Sequence, residues 1–154
     1  MDAYGFLKVA HVLGVVLFVG NIIVTAVWKG MADRTGQPEV VGFAQRLVTL
    51  TDWVFTLPGV LLVLFAGLGM AHVGGLSTTE TPWIWHGLML FTVSGLVWAG
   101  VLIPLQIVQA KAARAFEHGG VIPERYWRLN RQWFIWGIAA TVLPVFNIAI
   151  MVLK

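Results

Sequence analysis

The chain has 154 residues, 58% of them hydrophobic and 11% charged, and its mean hydropathy is +0.84. Soluble domains carry about 25% charged residues, so this composition excludes a water-soluble globular protein. The formal charge of +3 is too slight to indicate a nucleic-acid partner. The absence of cysteine excludes disulfides, thiolate metal sites and thiol redox chemistry.

A bilayer core demands roughly 20 mainly apolar residues per helix. The first such stretch covers about 4–28. It begins almost at Met1 with no basic n-region, follows the acidic Asp2, and runs well past the length of a signal-peptide core. It is expected as a retained helix. A connection at 29–48 leads to a second span at about 49–73, and a glycine- and threonine-rich connection at 74–82 leads to a third at about 83–109. The last connection, 110–129, precedes a fourth span at about 130–153. Pro38 and Gly119-Gly120 are the clearest breakers, so the first and third connections should hold helical extensions of the spans. The expected fold is an all-α membrane protein, one four-transmembrane-helix bundle over residues 1–154. Its 17 glycines and 8 tryptophans fit close helix contacts and interfacial indoles.

Basic residues set the expected orientation. Lys29, Arg34 and Arg46 lie in the first connection, and Lys111, Arg114, Arg125 and Arg128 in the third, with Arg131 just beyond it. The middle connection has none. Positive-inside bias then places both termini on the outer (periplasmic) side of a bacterial inner membrane, with Lys8 and Lys154 too few to reverse it.

Three of the four histidines collect in the outer half on this topology. His11 lies roughly 10 Å below the outer start of the first helix at about 1.5 Å per residue. His72 ends the second span and His86 opens the third, where an interfacial role competes with a ligand role. His118 falls in a loop and is expected to be solvated. An ionisable residue within a span is a functional-site hypothesis by default, which singles out His11. Gly14, Phe18, Asn21, Thr25 and Trp28 follow it at steps of three and four, while valines and isoleucines cover the remaining surface. Such a polar stripe faces protein, water or a cofactor, although Asn21 and Thr25 also suit simple helix–helix bonding.

A second polar group comprises Asp52, Gln106, Arg46, Arg128, Arg131 and Gln132. Asp52 is expected either to cap the second helix or to pair with an arginine. Pro58, Pro104 and Pro144 lie inside spans, where each disturbs the helix beside it. Asn147 belongs to the histidine side of the bundle.

A membrane-buried imidazole suits haem iron, copper, zinc or proton transfer. No nucleophilic triad, phosphate loop or pair of catalytic carboxylates is present. The glycines of the spans either open room for a flat macrocycle flanked by Phe18, Phe65, Phe91 and Trp98, or mark tight packing. Haem b is the leading cofactor, with copper or zinc as the alternative.

The stretch LKVAHVLGVVLFVGN (7–21) resembles the first helix of small four-helix membrane proteins that include the HemJ-type protoporphyrinogen oxidases. The copper resistance protein D family is a more distant likeness. Over the whole length, DWVFTLPGVLLVLFAGLGM, WIWHGLMLFTVSGLVWAGVLIPLQ and YWRLNRQWFIWGIAATVLPVFNI resemble the integral membrane proteins of domain-of-unknown-function family 2269. The oxidase likeness implies a haem b ligand at His11. It also implies a lysine early in the third helix, where this chain reads PWIWHGL, a departure that counts against porphyrinogen oxidation. His86 is the nearest residue there and the expected second axial ligand, with His72 in reserve and Gly14, Phe18 and Asn21 beside the cofactor. The expected function is a haem b-binding membrane protein with a redox or electron-transfer role, working with a quinone or redox protein and able to form a homodimer. The alternative is a non-enzymatic metal-handling, transport or assembly protein that binds copper or zinc through His11 and His86.

Overall fold

The computed structural model describes residues 2–153, so Lys154 lies outside the described residues. Four helices within it are long and apolar enough to cross a membrane: α1 (Ala3–Thr35), α2 (Pro38–Val73), α3 (Pro82–Phe116) and α4 (Glu124–Leu153). The Asp2 carboxylate caps α1 by accepting the Gly5 N–H at 2.7 Å. The helix ends at Gly36, whose φ of 62° is left-handed and suits glycine. Two residues later Pro38 starts α2, its fixed φ matching the first helical position. Each helix is therefore longer than its expected span. The expected helical extensions exist, and the 29–48 connection shrinks to residues 36–37.

Pro58 and Pro104 act in the same way in α2 and α3. Proline offers no N–H, and its ring crowds the carbonyl four residues back. The chain widens by one residue just before each of them. The Leu57 N–H reaches back to the Asp52 carbonyl and the Ile103 N–H to that of Trp98, giving single π turns at Asp52–Thr56 and Trp98–Leu102. The extra residue shifts the inward-facing register of all that follows.

In the half nearer the termini the helices form two pairs. α1 lies close against residues 57–73 of α2, while α3 is joined to α4 by Ser94 Oγ donating to the Ala140 carbonyl at 2.8 Å and Asn147 Nδ2 donating to the Gly87 carbonyl at 3.0 Å. Segments 57–73 and 82–97 have no Cα atoms within 8 Å of each other, so the pairs stand apart.

The half nearer the 36–37 and 117–123 connections is closed. Val41, Ala113, Phe116 and Tyr126 form a buried apolar core there. Beside it Lys29, fully buried, donates to both Asp33 carboxylate oxygens at 2.7 and 2.9 Å and to the Tyr126 hydroxyl at 3.1 Å. Tyr126 donates onward to Gln45 at 3.2 Å, Asn130 donates to Asp33 at 2.9 Å, and Gln109 donates to Asn130 at 3.3 Å. All four helices contribute to this network. Arg46 and Glu117 add an ion pair between α2 and the α3–α4 connection.

Removing one member of a buried ion pair strands the other charge, at a cost of about 3–5 kcal/mol. Lys29→Met should therefore lower stability in detergent by that order. Lys29→Met with Asp33→Leu, which removes both charges, should recover part of the loss. Thermal unfolding of the wild type, the single and the double variants checks this; a double variant as unstable as the sum of the two single changes contradicts it.

Candidate functional site

Between the two helix pairs lies a cavity of about 480 Å³, lined by Lys8, His11, Gly67, Trp83, Phe91 and Asn147 among others. This size lies within the range of small-molecule and cofactor sites. The His11 ring lies against α2, with Nδ1 2.9 Å from the Val63 carbonyl. A carbonyl can only accept, so Nδ1 carries the proton and Nε2 keeps a free lone pair. Gly67 makes this contact feasible, since a Cβ there would lie 3.1 Å from His11 Cε1 and 3.2 Å from Nδ1. Nε2 has no hydrogen-bond partner among the described residues. The result is an imidazole of fixed tautomer, with a basic nitrogen at the wall of a mainly apolar cavity.

The other expected site residues divide. Phe18 lines the cavity and meets Phe91 edge to face, their ring centroids 6.4 Å apart. Gly14 is a packing position. A Cβ on it would lie 2.8 Å from Leu62 Cβ and the Val63 nitrogen, and 2.9 Å from the Gly59 carbonyl oxygen, so α1 and α2 nearly touch here. Asn21 belongs to a second polar cluster described below. His86 and His72 are exposed and do not line the cavity. Residues 83, 84, 87, 88 and 91 of α3 face inward at helical spacing, which turns His86 away from His11. The structure thus does not bring the His11–His86 pair together. Among the described residues no three His, Cys, Asp or Glu side chains gather in a metal-binding group. His118 is exposed near Glu117, in line with a solvated loop residue.

Asp52 neither caps a helix nor meets an arginine. It sits inside continuous α2, at the start of the π turn, and accepts hydrogen bonds from Gln106 at 2.6 Å, Thr56 at 2.8 Å and Asn21 at 3.1 Å. Asn21 also donates to Thr56 at 2.9 Å and accepts from Thr25 at 3.3 Å. Arg128 and Arg131 are exposed, and Arg46 is held by Glu117. Asp52 lines a second cavity of about 310 Å³. Phe18 borders both cavities and separates them.

Sequence reasoning passed over the buried Lys29–Asp33 pair, treating Lys29 as one of the charges that set orientation. Its signal was the i,i+4 spacing of opposite charges on a helix that continues past the span. For the Asp52 cluster the signal was a set of polar residues inside spans, Asn21 with Thr25 and Asp52 with Thr56, each pair four apart.

A family model described as Predicted integral membrane protein (DUF2269) matches residues 5–154, and the chain belongs to that family. No curated protein and no solved structure matches it.

The two roles open to Gly14 separate experimentally. Overpacking a helix contact costs about 1–3 kcal/mol, so Gly14→Ala should lower the unfolding temperature in detergent. Gly20→Ala, where nothing lies within 4 Å of the new Cβ, should not. Equal behaviour of the two variants in a thermal melt would remove Gly14 from the α1–α2 contact.

Proposed function

We propose, from this family membership and the cavity around His11, that the protein binds haem b in the membrane and serves a redox role, with His11 as the one axial histidine. The observation that carries the reading is the His11–Val63 hydrogen bond at 2.9 Å, which leaves Nε2 free at the cavity wall. Imidazoles that ligate metals commonly donate their other N–H to a carbonyl or carboxylate, which fixes the ring and raises its basicity. Phe18 and Phe91 offer aromatic surface to a flat ring. Lys8, exposed at the same cavity, suits a propionate.

A haem iron with one protein ligand keeps an open position suited to oxidation chemistry, whereas two axial ligands favour electron transfer. His86, turned outward, favours the first case. The exposed Val12 and Val16 of α1 and Val152 of α4 flank the cavity, so its mouth faces lipid and admits a lipid-soluble electron carrier such as a quinone. Arg34, Arg46, Arg114, Arg125, Arg128 and Arg131 are exposed at the connection end. In a bacterial inner membrane this favours connections in the cytoplasm and the His11 cavity in the outer half. The copper or zinc alternative has a thinner donor set. Zinc sites use three or four protein ligands, whereas His11 is joined at this cavity only by the thioethers of Met70 and Met151.

Protein purified in detergent from haem-sufficient cells should show a Soret band. His11→Ala should abolish or strongly weaken it, and His86→Ala should leave it unchanged. Colourless protein that gives no spectral response to added hemin would overturn the reading, as would a band indifferent to His11→Ala. A band lost in His86→Ala would restore a two-histidine site.

A further inference from the structure

The second cavity holds an unbalanced charge. Asp52 is 8% exposed within a membrane-spanning helix, and all three of its hydrogen-bond donors, Gln106, Thr56 and Asn21, are neutral. No lysine, arginine or histidine forms an ion pair with it among the described residues; Lys29 is engaged by Asp33 and Arg46 by Glu117. Three donors favour the carboxylate form, yet a carboxylate at this depth is costly without a positive partner. The donors leave acceptor capacity unused, because a carboxylate has about four lone-pair sites.

The remaining walls say what that partner is like. Phe18, Trp98, Trp133 and Phe134 border the same cavity of about 310 Å³. Aromatic faces attract a diffuse positive charge, most strongly where water is excluded. They offer little to a small hydrated metal ion, which requires several oxygen ligands. An anion would be repelled by Asp52. Ile23 of α1 and Ile138 of α4, 45% and 63% exposed, also border the cavity, so its mouth lies on the lipid-facing seam between these helices. A ligand arriving there must partition into the bilayer.

We propose that this cavity binds a lipophilic organic ammonium cation, its charge set against Asp52 and its apolar part against the aromatic walls. Asn21, Thr56 and Gln106 hold the carboxylate in place, and Thr25 orients Asn21 from one turn further along α1. The site is separate from the His11 cavity, and the proposal stands whether or not haem is bound there.

The test uses the full chain in a nonionic detergent, titrated with benzyltrimethylammonium and with its uncharged carbon isostere neopentylbenzene. Binding is read by intrinsic tryptophan fluorescence, since Trp98 and Trp133 both border the cavity. The cation should bind saturably and at least tenfold more tightly than the isostere. Asp52→Asn should remove that preference, weakening the cation at least tenfold with little change for the isostere. Equal affinities of the two compounds for the wild type would overturn the proposal, and so would a cation affinity unchanged in Asp52→Asn or the lack of any saturable response to the cation. If Asp52→Asn does not fold, the comparison of the two compounds on the wild type decides alone.

Discussion

The ion pair of Lys29 with Asp33, with Tyr126, Gln45 and Asn130 bonded around it, is the constraint on which the rest of the structure depends. Lipid tails are as apolar as leucine, so no hydrophobic force draws helices together inside a bilayer. Something directional must hold four helices in one arrangement. Here that task falls to a fully buried lysine whose hydrogen bonds, extended through its neighbours, reach every helix. Breaking the network exposes no alternative partner for the charges. Its cost is therefore concentrated at one end of the bundle.

That concentration explains how the other end can be open. With the connection end tied, α1–α2 and α3–α4 are free to separate towards the termini, each pair secured by its own short contacts. Gly14 and Gly59 bring α1 and α2 to near backbone contact, and Ser94 and Asn147 hold α3 to α4. The space between the pairs becomes two cavities rather than one, because Phe18 with Phe91 fills the middle. A bundle packed evenly along its length would have no room for either.

The spans, the breakers and the polar stripe of α1 were legible in the sequence because each rests on local chemistry. Apolar length marks a span, Pro38 and Gly119-Gly120 mark ends, and a mixed helix shows its inward side. The inward sides of α2 and α3 were not legible. Residues 57–73 and 82–97 are apolar nearly all round, so periodicity carries little information about which face meets protein. His86 could be placed at the right depth but not on the right side. The π turns compound this, since one extra residue before Pro58 displaces the register and turns Asp52 inward, away from any arginine. Lys29 misled for another reason: a basic residue near a span end serves equally to set orientation or to anchor a buried pair, and only tertiary contacts separate the two.

The two cavities are chemically unlike although they open along the same α1–α4 seam. One presents a neutral imidazole with a free lone pair and no buried charge; the other presents a carboxylate with neutral partners and no counter-ion. An electron-pair acceptor is complementary to the first and a cation to the second. Each bordering side chain is already fixed by an internal hydrogen bond, His11 by the Val63 carbonyl and Asp52 by three donors. Little ordering entropy remains to be lost when a partner arrives. Such preorganisation in a low-dielectric setting is hard to explain as packing alone, because an apolar residue at either position would satisfy packing without burying a polar group. Phe18 then has a role of its own. It keeps a cation drawn to Asp52 away from a ligand held at His11, so the two sites share an entrance seam without sharing an occupant.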